Sequence, residues 1–163
     1  MYLPRLFHTS LTLRKNITKI YIDGSFRQHP KGSNIAGIGI YWGDDDPRNL
    51  SLTLPGEHTN NTAEINAAIY ALRQAKEHNI QGPYIYSDSN YVVKSINEWI
   101  YKWKSNGWQT TGNKDVKNKE LFEELDDLVF QTNAKFIHVK GHDKENYENS
   151  QAHDLAFKAS ENS

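Results

Sequence analysis

The spacing of hydrophobic and polar positions changes once along the chain, from the period of strands to the period of helices. Thr18 to Phe26 alternates, with Ile20 and Ile22 against Tyr21 and Asp23, which predicts a strand. A Pro/Gly/Ser-rich turn, His29 to Ser33, leads to a second predicted strand, Ile35 to Trp42, interrupted by Gly37 and Gly39. Asp44 to Pro47 reads as a turn and Asn49 to Leu54 as a third strand. Connections this short predict an antiparallel meander. Beyond it, Asn61 to Asn79 sets Ile65, Ala68, Ile69, Leu72 and Ala75 on one helical stripe. Tyr84 to Ser87 is a short strand after Gly82 and Pro83, and Asn90 to Lys104 a helix. Asn118 to Gln131 repeats the helical spacing with Leu121, Phe122, Leu125 and Leu128. Ala134 to Val139 reads as the fifth strand, and a last helix, about Asn149 to Ser160, turns Ala152, Leu155, Ala156 and Ala159 inward. Hairpin strands followed by helix–strand crossovers predict an α/β fold: a five-stranded mixed sheet, three antiparallel strands then two parallel, flanked by helices.

Composition narrows the chemistry. The 163 residues suit one domain with a real core and are too few for two. There are 0 cysteines, which excludes disulfides, thiolate nucleophiles and cysteine-based zinc sites. No apolar run approaches the roughly 20 residues that span a bilayer, so no membrane partner is expected. A net charge of −1 gives no global pull toward nucleic acid, so the distribution of charge matters more than its sum. Before Asp23 the chain holds Arg5, Arg14, Lys15 and Lys19 and no acid. Residues 1–16 are apolar, hydroxylated and basic, which predicts a mitochondrial targeting segment. The alternative is a disordered extension on a nuclear or cytoplasmic protein. Residues 17–163 form the expected folded domain.

Three acids fall where elements begin or end. Asp23 interrupts an apolar strand, Glu64 lies in the first turn of the long helix, and Asp88 ends the fourth strand. Singly, each has an ordinary reading. Asp23-Gly24 could be a turn, Glu64 the third residue of a capping box begun by Asn61, and Asp88 a helix cap. Together they say more. In a parallel pair, the ends of the first and fourth strands meet at a crossover, where such sheets bind ligands. Three carboxylates in one crevice repel unless cations sit between them, and an all-oxygen set selects a hard ion, magnesium or manganese.

The stretches Tyr-Ile-Asp23-Gly-Ser, Ala-Gly-Ile-Gly-Ile-Tyr-Trp42-Gly, Thr59-Asn-Asn-Thr-Ala-Glu64, Tyr-Ser-Asp88-Ser-Asn and His138-Val-Lys-Gly-His142 resemble the type 1 ribonucleases H, in the family's order and close to its spacing. The likeness runs from about Ile17 to Ser160. It implies a catalytic domain that cuts the RNA strand of RNA–DNA hybrids with two divalent ions, leaving 5′-phosphate and 3′-hydroxyl ends. Asp23 would bridge the ions, with Glu64 and Asp88 completing the set. His142, in a polar loop, would assist leaving-group protonation or product release. Gly24, Ser25, Asn60, Asn61, Asn90 and Glu64 match the family's minor-groove contacts, which read the 2′-hydroxyl of RNA. Trp103, Lys104, Trp108 and Lys117 resemble its basic protrusion, which grips the DNA strand; Trp99 is expected in the core. A monomer with no obligatory protein partner is expected, lacking the hybrid-binding domain that many eukaryotic members carry at their N-terminus.

Two departures from the family pattern bear on function. Glu57 stands where eukaryotic members usually carry an arginine, so a DNA-phosphate pocket with Thr59 and Asn118 is expected to be weakened. The family's fourth acid stands four residues after an asparagine and two before a Leu-Ala pair. Here Asn149, Leu155 and Ala156 all point to His153. Using the neighbouring Asp154 instead would rotate the helix by about 100° and carry its apolar residues off the core. His153 is therefore expected as the fourth catalytic and metal-binding residue, leaning the site toward manganese, which accepts nitrogen more readily than magnesium does. A catalytically weakened or inactive hybrid-binding protein is the alternative.

Overall fold

A computed structural model describes residues 16–30 and 32–161. Apart from Asn16, the expected targeting segment lies outside the described residues. Five strands, β1 (Lys19–Arg27), β2 (Ile35–Tyr41), β3 (Leu50–Leu54), β4 (Tyr84–Ser87) and β5 (Lys135–His138), form one sheet in the order β3-β2-β1-β4-β5. β1, β2 and β3 pair antiparallel, whereas β4 runs parallel to β1 and β5 parallel to β4. This is the five-stranded mixed sheet that the change of period predicts.

Alternation along the strands separates two cores. Ile20, Ile22, Ile38, Ile40 and Ile85 face α1 (Asn60–Glu77) and α4 (Lys119–Thr132), joined by Ile65, Ile69, Leu72, Phe122 and Leu125. Tyr21 and Tyr41 face the other way and meet Ala152 of α5 (Tyr147–Glu161). Burying a side chain of this size contributes about 1.5–3 kcal/mol, so the larger core dominates stability.

The expected single helix from Asn90 to Lys104 is instead α2 (Asn90–Lys94), a π-helical turn (Ser95–Trp99) and α3 (Ile100–Ser105). Its core positions are taken by Val92, Ile96 and Ile100. Trp99 is consequently turned out to 39% exposure, which corrects the expectation that it lies in the core. Trp103 instead packs on Phe122, with ring centroids 5.5 Å apart. No helix among the described residues is long and apolar enough to cross a membrane.

Two glycines set how closely α5 lies on the sheet. A Cβ at Gly39 would come 2.0 Å from the Ala152 carbonyl oxygen, and one at Gly37 2.6 Å from that of Ala156. Ser51 and Thr53 of the edge strand tie the same helix down by donating to Leu155 and Ala159 carbonyls at 2.7 and 2.5 Å. Gly39→Ala is expected to cost about 3 kcal/mol by forcing helix and strand apart. Urea denaturation checks this, and an unchanged midpoint would contradict the packing described.

Candidate active site

Asp23 lies on β1 one residue beyond the last residue paired with β4, opposite Gly39 of β2. Asp88 directly follows β4, and Glu64 comes from α1. Neither Glu64 nor Asp88 is a cap. Thr59 caps α1, its hydroxyl accepting from the Thr62 N–H at 3.1 Å while the Thr62 hydroxyl accepts from Thr59 N–H at 2.8 Å. Ser89 caps α2 by accepting from the Val92 N–H at 3.3 Å. Glu64 sits deeper in α1 than a capping residue and accepts the Gly24 N–H at 3.0 Å. Asp23, Glu64 and Asp88 each offer a ligand atom within 4.8 Å of the others.

The register of α5 turns His153 toward this cluster and leaves Asp154 exposed. His153 Nδ1 meets Asp23 Oδ2 at 2.8 Å, and because a carboxylate only accepts, the imidazole donates. His153 thus stands against the cluster through Asp23, outside the group of three acids whose ligand atoms converge. His142, at a left-handed φ of 56°, has its ring 5.6 Å from that of His153. A crevice of about 270 Å³ brings together Asp23, Gly24, Ser25, Asn60, Glu64, Asp88, His142 and His153. Asn149 was read only as a landmark; buried one helical turn before His153, it donates to Asp88 Oδ2 at 3.4 Å. Its four-residue spacing from His153 on an inward face was the signal available.

The other expected binding residues divide. Asn61, Trp103, Lys117 and Asn118 line a separate cleft of about 310 Å³ with Tyr91 and Lys114. Asn118 donates there to the Tyr91 hydroxyl at 3.1 Å. Thr59 is exposed at the α1 cap and Asn90 is exposed at the start of α2. The ammonium of Lys104 lies 2.7 Å from Asp126 of α4, in a cleft that also holds Trp108, Glu123 and Asp127. The Gly24 N–H is likewise committed to Glu64.

A family model described as RNase H matches residues 15–161. The chain belongs to the RNase H family. Ribonuclease H1 of Mus musculus is 43% identical over 123 residues, 76% of this chain and 43% of the relative. Ribonuclease H of Schizosaccharomyces pombe is 43% identical over 139 residues, 84% of this chain and 50% of the relative. The chain thus spans half the length of such relatives or less. Ribonuclease H of Francisella philomiragia matches more of its own length: 39% identity over 147 residues, 90% of this chain and 92% of the relative. Among solved structures, the foamy viral protease-reverse transcriptase in complex with an RNA/DNA hybrid superposes with a TM-score of 0.72 at 27% identity, over 88% of this chain and 20% of that one.

In this RNase H domain the carboxylates are held close at an electrostatic cost. Burial, then the charges of Asp23 and Asp88, push Glu64 well above the usual carboxylate range, against the Gly24 N–H. Burial and Asp23 also raise Asp88, while Asn149 and His153 work the other way. Both groups therefore hold protons more tightly in the folded protein than in the unfolded chain. Their contribution to metal-free stability is present below the ordinary carboxylate pKa of about 4 and is lost as pH rises through the raised values. Metal must displace those protons, so its affinity should rise with pH. Asp23→Asn should stabilise the chelator-treated protein near neutral pH by on the order of 1 kcal/mol and abolish stabilisation by added metal. Thermal melts with and without magnesium test both; a destabilised variant that still responds to metal would contradict this account.

Proposed function

We propose that this chain hydrolyses the RNA strand of RNA–DNA hybrids endonucleolytically, with two divalent ions, leaving 5′-phosphate and 3′-hydroxyl ends. The observation that carries the reading is the convergence of Asp23, Glu64 and Asp88 on one point, two of them buried, with little to offset their charge. An all-oxygen, strongly anionic donor set fits magnesium or manganese. Held there, divalent ions would supply activation of the attacking water and stabilisation of the departing 3′ oxygen.

The residues divide the remaining work. Asp23, Glu64 and Asp88 would hold the ions, with Asp23 shared between them; Glu64 is oriented by the Gly24 amide and Asp88 by Asn149. His142, on its loop at the crevice mouth, is the candidate to move a proton to the leaving oxygen. Ser25 and Asn60 flank the acids on the side where a ribose 2′-hydroxyl would be read. Asn61, Trp103, Lys117 and Asn118 suit the DNA strand, with tryptophan packing on sugar and lysine neutralising phosphate. The hybrid bound by the viral neighbour supports this choice of substrate. His153 at the fourth acidic position is the observation that favours the second reading, a weakened or inactive hybrid-binding protein.

A labelled hybrid with and without magnesium or manganese tests the assignment. RNA should be cut only when paired with DNA and only with metal, and Asp23→Asn should lower the rate at least a thousandfold while hybrid binding persists. Full activity in chelator, or equal cutting of single-stranded RNA, would sink it.

The two lysines separate binding from structure. Lys117→Ala should raise KM several-fold, flatten the salt dependence and spare kcat, because one phosphate contact is lost. Lys104→Ala should do much less, since its charge is already paired with Asp126. Equal effects on KM would show that Lys104 leaves Asp126 to reach the substrate.

A further inference from the structure

We infer that His153 makes the two cations load in sequence, the first with His153 in place on Asp23 and the second only after His153 has let go. This rests on the divalent-ion reading above and deepens it. Asp23 has two carboxylate oxygens, and bridging two cations takes one for each. Oδ2 already accepts from His153 Nδ1 at 2.8 Å. A cation at that oxygen would confront the N–H dipole head-on within a few ångströms, so the ring must turn away. The first ion needs one oxygen from each of Asp23, Glu64 and Asp88, and the hydrogen bond to His153 occupies only Oδ2 of Asp23, leaving Oδ1 for it.

The ring has somewhere to go. Its side chain is 43% exposed, and its aromatic neighbours, His142 and Phe157, stand with centroids at 5.6 and 6.3 Å. A cavity of about 120 Å³ between Asp88, His142, Asn149 and Asp154 opens on its flank. Breaking a charge-assisted hydrogen bond at a half-exposed position should weaken the second step by on the order of tenfold. An acid at position 153 would impose no such step, since it has no proton to remove from Asp23.

Manganese binding to the full chain, read from the electron paramagnetic resonance of free ion at about pH 8, where unpartnered imidazole is neutral, tests this. Wild type should bind in two steps separated by tenfold or more. His153→Ala should tighten the second step by on the order of tenfold, and His153→Asp at least as much. In a magnesium titration, the imidazole nitrogens of isotope-labelled His153 should shift with the second step and not the first. If His153→Ala instead weakens the second step, His153 is a ligand and the inference falls. Two equal steps in wild type, or imidazole shifts with the first ion, overturn it as well. Those outcomes leave the divalent-ion reading intact. If no variant binds manganese at all, that reading fails and this inference fails with it.

Discussion

Two helices touch the backbone of the sheet where it has no side chains, and the geometry of the site depends on those contacts. At Gly24 a Cβ would lie 2.6 Å from the backbone nitrogen of Glu64, and at Gly39 one would lie 2.0 Å from the Ala152 carbonyl oxygen. α1 is thereby pressed onto one face of β1 and α5 onto the other face of β2, directly beside Asp23, whose partner across the strand pair is Gly39. Glu64 reaches Asp23 from above and His153 from below only because both helices come closer than any side chain would allow. Close-packed interiors transmit such displacements, so a methyl group at either glycine would move a functional residue as well as a helix.

That closeness sets stability against function. The isoleucine core between the sheet and α1 is continuous up to Ile22, and the next residue is the buried Asp23. It points to the opposite face with Tyr21, where an apolar residue would extend the smaller core under α5, whereas the carboxylate adds repulsion that raises its neighbours' proton affinity. The polar contacts around it, from the Gly24 amide, Asn149 and His153, each offset part of the charge, and a metal would offset the rest. The fold tolerates a destabilised centre because the apolar burial around it is large.

The sheet and its order were legible because each strand alternates and each helix keeps an apolar stripe, and both patterns are consequences of burial. The convergence of Asp23, Glu64 and Asp88 was legible for a related reason: an acid inside an apolar strand has no structural excuse. Their local roles were not. Thr59 and Thr62 satisfy each other across the first turn, a reciprocal pair of hydroxyls that leaves Asn61 with no capping work, and pattern alone does not rank threonine above asparagine there. Trp99 was misread because Ile96 and Ile100 already fill the inward positions of that helix, and a π-helical turn intervenes where a regular stripe was assumed. The pairing of Lys104 with Asp126 was not legible because the two are distant in sequence, and no local spacing encodes it.

The same long-range pairing decides which lysines of this nearly neutral chain are left without an acid partner. α4 carries Glu120, Glu123, Glu124, Asp126 and Asp127, an acidic face that would repel a polyanion lying across it. Lys104, Arg73 and Lys119 pair with Asp126, Glu124 and Glu123, so cations along this helix are spent on acids. Among the described residues neither Lys114 nor Lys117 forms an ion pair, and both line the cleft with Trp103 and Asn118. Exposed pairs contribute little to stability, so pairing on α4 matters less for holding the fold than for where free positive charge is left. Charge is thus sorted between two clefts: Lys104 is neutralised beside the acids of α4, whereas Lys114 and Lys117, next to Asp115, keep their charges free of ion pairs.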